Sequence, residues 1–207
     1  MQLVVVADDD QREEIRKKNI NPDTELIFIN DIENIADHNS AIAILLLDDK
    51  MEDFLVDTNK PVIINSTAKT LNEIRLPANY SRINGWPGFL QREIWELATN
   101  NEQLVKPIFE ESGWKYKLVK DEPGLVSGRI ISMIINEAWF AWGDDVSSKE
   151  EIDNAMKLGT NYPFGPFEWG EKIGLEKIYD LLKRLSEKEQ HYQAAPALEK
   201  FMTGKKF

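Results

Sequence analysis

The first 120 residues alternate short apolar runs with longer polar, helix-like stretches, the rhythm of strands joined by crossovers in a parallel sheet. Residues 3–7 read as the first strand. A helix over residues 10–19 follows, with acids at its start and Arg16, Lys17 and Lys18 at its end, until Asn21 and Pro22 break the chain. Residues 25–29 form a second strand. Residues 41–47 are apolar throughout, as expected of a central strand covered on both faces. Residues 61–65 make a fourth strand, and Thr70 with Glu73 spells a capping box for a short helix. Residues 80–83 and 93–98 read as two further strands. Thr99 with Glu102 suggests another capping box, opening a helix that ends near Gly113 before a strand over residues 115–119.

Beyond Asp121 the period changes to that of helices. Residues 130–142 carry apolar side chains around nearly the whole helical circumference, which predicts burial on most sides, and Gly143 ends them. Ser148 and Glu151 cap a helix that carries Ile152, Ala155 and Met156 and stops at Gly159. Residues 175–185 place Ile178, Leu181, Leu182 and Leu185 on one stripe, and a last helix covers residues 195–202. The pattern divides the chain into parts of residues 1–121 and 122–207.

Composition narrows the chemistry more than the fold. There is no cysteine, so disulfides, thiol nucleophiles and thiolate metal sites are excluded. The two histidines, His38 and His191, belong to no metal-spaced pair. A net charge of -11 argues against nucleic acid, which needs a basic surface. The longest apolar run, residues 41–47, is too short to cross a bilayer, and residues 1–10 lack the form of a signal peptide. The expectation is a cytoplasmic protein without membrane or nucleic-acid partners.

Several motifs in residues 121–175 carry a resemblance. Asp121-Glu122-Pro123-Gly124-Leu125-Val126-Ser127-Gly128-Arg129-Ile130 leads into the long helix, which holds Asn136-Glu137-Ala138. Ile152-Asp153, Ala155-Met156-Lys157-Leu158-Gly159, Tyr162-Pro163-Phe164-Gly165-Pro166-Phe167-Glu168 and Ile173-Gly174-Leu175 follow in order. This segment resembles the C-terminal domain of the 3-hydroxyacyl-CoA dehydrogenase family. The resemblance implies a Rossmann domain that binds NAD, then an all-helical domain that dimerises and helps hold the acyl-CoA. The fold expected is therefore α/β, a shortened Rossmann-like parallel sheet followed by an all-helical domain of that C-terminal type. The residues themselves read as structural. Gly165-Pro166 makes a tight turn, with Pro fixing φ and Gly tolerating positive φ, while Phe164, Phe167 and Trp169 pack against neighbouring helices.

The chemistry implied by the resemblance is incomplete in this sequence. A dinucleotide loop needs Gly-x-Gly-x-x-Gly after the first strand, but Ala7-Asp8-Asp9-Asp10 stands there and no glycine precedes Gly85. The three acids suit helix capping and repel a pyrophosphate. The family's base is a histidine oriented by a glutamate twelve residues later. That spacing assigns Asn84 and Glu96 here, and holding Pro87 fixed instead assigns Ile83. The family's serine after the fourth strand corresponds to Ser66, which reads equally well as a turn residue. Gly128 stands where the family has an asparagine.

The sequence therefore leads to a divergent dehydrogenase-like protein without normal NAD-dependent activity, one that binds acyl-CoA and forms a homodimer through its helical domain. No cofactor is expected under that reading. Two alternatives stay open, an active dehydrogenase with a compensated NAD site and a non-catalytic assembly protein. The candidate site residues are Glu96, Ser66 and Asn84.

Overall fold

The structure, a computed structural model, describes residues 1–48 and 55–204. The last three residues of the second predicted part lie outside them. The chain forms two compact units, Met1–Leu125 and Val126–Phe207.

The first unit is built on a seven-stranded sheet. Its strands are β1 (Gln2–Val6), β2 (Glu25–Ile29), β3 (Ala43–Leu46), β4 (Val62–Asn65), β5 (Tyr80–Ile83), β6 (Ile94–Thr99) and β7 (Lys115–Leu118), in the order β2-β1-β3-β4-β5-β6-β7. Strands β1 to β5 run parallel, β6 runs antiparallel to β5, and β7 runs parallel to β6. The sheet is thus mostly rather than wholly parallel. The reversal follows from the connection between β5 and β6, residues 84–93, which contains no helix. A parallel return needs a crossover of about a dozen residues or more. Glu14 of α1 (Asp9–Arg16) fixes this connection, its carboxylate accepting N–H bonds from Gly88 at 2.6 Å and Leu90 at 3.0 Å.

Alternate residues of the central strands supply two apolar layers. Leu3, Val5, Ala43, Leu45 and Ile63 face Ile15 of α1 and Val105, Ile108 and Phe109 of α3 (Glu102–Ser112), with Trp95 and Trp114 beside them. Val4, Val6, Ile44, Leu46, Val62 and Ile64 face the other way, toward Tyr80 and Leu71 of α2 (Leu71–Ile74). The capping box expected at α2 forms, with Thr70 and Glu73 bonded reciprocally. The one expected at Thr99 and Glu102 does not. Thr99 belongs to β6, its hydroxyl accepts from Ser81 and from the Asn101 N–H, and Glu102 accepts from the Tyr116 hydroxyl. Strand pairing claimed the threonine first.

A charged group is wholly enclosed in the sheet unit. Arg82 of β5 has no exposed surface, and each of its guanidinium nitrogens has a partner. Nε donates to Asp121 at 2.5 Å, Nη1 to the Ser66 carbonyl at 2.8 Å and the Thr67 carbonyl at 3.3 Å, and Nη2 to the Glu122 carbonyl at 2.6 Å. Lys18 is also enclosed. Its ammonium donates to the Arg92 carbonyl and sits 4.8 Å from the Trp95 ring and 5.9 Å from the Trp114 ring, where burial pulls its pKa down to about 8.

The second unit contains α4 (Ser127–Gly143), α5 (Lys149–Thr160), α6 (Pro166–Ile173), α7 (Leu175–Ser186) and α8 (Pro196–Thr203). The capping box of Ser148 and Glu151 forms at α5. Residues 131–142 of α4 are buried or half-buried at every position but Glu137, as the apolar pattern predicts. Val126, just before it, is 50% exposed and Ile130 is 55% exposed, while the polar Ser132 and Asn136 are buried. Asn136 earns its place by bonding backbone, donating to the Gln193 carbonyl at 3.0 Å and accepting the Ala195 N–H at 2.8 Å. The role expected of Gly165 is corrected. Its φ is -70°, and glycine is required for space, because a Cβ there would lie 2.3 Å from Asp153. The Asp153 carboxylate accepts the Phe167 N–H at 2.7 Å and the Glu168 N–H at 3.0 Å, satisfying the first turn of α6. Among the described residues no helix is long and apolar enough to cross a membrane.

Two outcomes test these assignments. Replacing Asp121 by Asn leaves Arg82 buried with its charge uncompensated and lowers the unfolding free energy in urea by about 3–5 kcal/mol. For Lys18 the folded pKa lies below the unfolded 10.5, so between about pH 8 and 10.5 the unfolded chain binds more protons. Stability contributed by this residue therefore rises with pH across that window. The urea midpoint of the wild type, compared with Lys18→Met at each pH, gains ground from pH 8 to 10, and a loss contradicts the assignment.

Candidate functional site

The carboxyl ends of parallel strands are where α/β sheets place ligands. Here that edge is occupied by short, buried polar side chains. Asn65 ends β4, Ser66 and Thr67 follow it, and Asn84 and Gly85 follow β5. Asn65, Ser66, Thr67 and Asn84 are each less than 5% exposed.

The β5–β6 ladder pairs Ser81 with Thr99, Arg82 with Ala98 and Ile83 with Leu97. Asn84 follows directly on the last residue of β5, and Glu96 precedes Leu97, which pairs with Ile83. Ile83, the other position considered, is a ladder residue in the core. Asn84 is held from two sides. Its Oδ1 accepts the Thr67 hydroxyl at 3.0 Å and the Trp86 N–H at 3.1 Å. An amide has no proton-accepting nitrogen, and this one spends its oxygen on the loop. Ser66 donates its hydroxyl to the Lys69 carbonyl at 2.8 Å, closing a turn, and Arg82 takes its carbonyl. Glu96 is half-buried on β6. Trp95 turns away into the core, its indole N–H bonded to the Leu90 carbonyl at 2.8 Å.

The start of the sheet is equally filled. Asp8 caps α1, accepting the Gln11 N–H at 2.8 Å, and the Gln11 side chain accepts the Asp8 N–H at 3.1 Å. Gln11 also reaches across to the Leu47 carbonyl at 2.6 Å, which Asn65 shares at 3.1 Å, while Asn65 accepts the Gly85 N–H at 2.8 Å. The crevice where strand order reverses, between β1 and β3, is thereby spanned by the chain's own side chains. Arg12 bridges the Ala7 and Ile29 carbonyls at the ends of β1 and β2. With Asp8, Asp9 and Asp10 at the helix mouth and no glycine in the turn, these residues do not fit a pyrophosphate held in the glycine-loop manner.

His38, the histidine of the sheet unit, lies away from this edge. His38 lines a cleft of about 270 Å³ with Ile35, Val56, Thr58 and Lys60. Lys60 donates to the Asn39 carbonyl, so that cleft extends to the amino ends of β3 and β4. His191 is exposed in the helical unit, 3.6 Å from Glu189. Gly128 lies in the first turn of α4. Among the described residues no group of three or more His, Asp or Glu side chains could hold a metal ion. Sequence reasoning missed Thr67 and Gln11 as partners in this network. The polar stretch after β4 was the available signal for Thr67, and the Asp8–Gln11 capping spacing for Gln11.

The comparisons with known proteins agree with the helical unit. Residues 124–207 match the 3-hydroxyacyl-CoA dehydrogenase C-terminal domain. A 3-hydroxybutyryl-CoA dehydrogenase of Clostridioides difficile is 43% identical over 86 residues, covering 41% of this chain and 31% of that protein. A 3-hydroxyadipyl-CoA dehydrogenase of Escherichia coli is 41% identical over 83 residues, covering 40% of this chain and 17% of that protein. The chain thus aligns with less than a third of either relative. The crystal structure of (S)-3-hydroxybutyryl-CoA dehydrogenase from Ralstonia eutropha superposes with a TM-score of 0.67 at 17% identity, over 98% of this chain and 93% of that one. The expectation of no cofactor is corrected by these matches. All three are dehydrogenases, enzymes that pass a hydride to or from a cofactor such as NAD, and they weigh against a chain without one. The helical unit is thus similar to the C-terminal domain of the 3-hydroxyacyl-CoA dehydrogenases, and it follows a sheet unit that shares their fold.

Proposed function

We propose that this protein is a divergent member of the dehydrogenase family that does not turn over 3-hydroxyacyl-CoA in the ordinary way, and that it keeps acyl-CoA as a ligand and dimerises through its helical unit. The observation that carries the reading is Asn84. It stands where the family resemblance expects a histidine, twelve residues before Glu96, and its amide oxygen is committed to Thr67 and Trp86. Removal of a 3-hydroxyl proton as hydride departs needs a base titrating near neutrality. An amide is not one, and Glu96 without an imidazole to orient has only its own carboxylate to offer. Ser66 contributes a turn, and its hydroxyl is engaged with Lys69. Assembly rests on a separate observation, the apolar side chains of Val126 and Ile130 that the single chain leaves half-exposed at the start of α4.

The activity test uses acetoacetyl-CoA with NADH, followed by absorbance. A missing base lowers turnover by about a hundred- to ten-thousand-fold, so the expected rate lies at that depth below an ordinary dehydrogenase. Ordinary turnover contradicts the reading. Light scattering at micromolar concentration gives the mass of two chains, and the mass of one chain removes the assembly part of the proposal.

A further inference from the structure

In the helical unit, α4, α6 and α8 converge on one side chain of α5. Lys149, the first residue of α5, places its ammonium nitrogen 4.3 Å from the Trp139 ring centroid and 4.5 Å from Trp142. Phe167 and Phe201 stand 5.1 Å and 5.6 Å away. The rings brace one another around Trp139, with centroids 5.3 Å from Trp142, 5.5 Å from Phe167 and 5.2 Å from Phe201. Four rings within about 6 Å of one cation form an aromatic cage, each offering the negative face of its quadrupole.

The cage suits its present occupant poorly. A primary ammonium carries three N–H donors, yet among the described residues none hydrogen-bonds Lys149 or pairs with it within 4.0 Å. Glu171 and Asp153 act on it only from a distance, and Asp153 is engaged at the start of α6. Burial accordingly holds the Lys149 pKa below the usual lysine value. The indole N–H of Trp139 is buried and likewise without an acceptor. Walls made of π faces with no acceptor match an alkylated ammonium, which has no N–H to satisfy. One wall is accessible, since Phe201 is 53% exposed. Lys149 is held in place by its tether to α5, which gives it a high effective concentration against any free competitor.

We propose that this cage is a binding site for a small quaternary ammonium compound, plugged in the free protein by the side chain of Lys149. The inference stands on the helical unit alone and does not depend on the acyl-CoA reading.

The test is a tryptophan-fluorescence titration with tetramethylammonium chloride, with sodium chloride as the control, on the full chain and on Lys149→Ala and Lys149→Gln. Both variants are expected to show saturable quenching, with affinity about ten-fold tighter than the wild type. Adding Phe201→Ala weakens binding about three-fold. In the unaltered chain the same salt displaces the plug, so labelling of Lys149 by an amine-reactive ester, read by peptide mass spectrometry, rises. Responses indistinguishable from sodium chloride in folded variants, or labelling of Lys149 unchanged by tetramethylammonium, overturn the proposal.

Discussion

The guanidinium of Arg82 is the point on which the sheet unit turns. A fully enclosed cation must be neutralised and hydrogen-bonded, and here four acceptors from two stretches of chain do so. Asp121 supplies the charge, while the Ser66, Thr67 and Glu122 carbonyls supply geometry. Because the fork of an arginine is planar and rigid, these acceptors have one arrangement relative to β5. The loop after β4 and the residues that lead out of the sheet are fixed together as a result.

That constraint explains the character of the carboxyl edge. With the Ser66–Thr67 loop held by its carbonyls, the Thr67 hydroxyl faces Asn84, and Asn84 in turn receives the Trp86 N–H. Asn65 continues the chain of bonds to Gly85 and to Leu47, and Gln11 joins from α1. Groups that line a nucleotide crevice in a dinucleotide fold here bond to one another. Low exposure makes each of these bonds costly to lose, because an orphaned amide in this setting has no water to turn to. The carboxyl edge of the sheet is thus a network of buried polar side chains bonded to one another and to the backbone.

Much of this was legible in the sequence, and the exceptions have definite causes. Strands β1, β3 and β4 announced themselves because a strand covered on both faces has to be apolar at every position. The caps of Thr70 and Ser148 were readable because their partners lie three residues away. Thr99 spelled the same motif and failed because it pairs with Ser81, eighteen residues distant in sequence. The reversal of β6 depended on what the residues after Gly85 do, and the hold of Glu14 on that connection cannot be seen from local pattern. Glycine at 165 was recognised as a turn residue, but the reason was the carboxylate of Asp153 pressed against it. Asn84 and Glu96 were assigned by spacing alone, and the bonds that hold Asn84, to Thr67 and Trp86, left no trace in that spacing. The partners Thr67, Gln11 and Arg82 were invisible as such, since nothing local marks a polar residue as buried.

The central claim is that Asn84 and Asn65 are structural fixtures whose amide oxygens hold the backbone of the β5–β6 connection. Amide hydrogen exchange at Trp86 and Gly85 tests it most directly, because those two N–H groups are the ones received by Asn84 and Asn65. The account predicts protection comparable to the neighbouring core strands β4 and β5, lost at Trp86 in Asn84→Ala and at Gly85 in Asn65→Ala. Rapid exchange of both in the unaltered protein, as in a solvent-exposed loop, would contradict it.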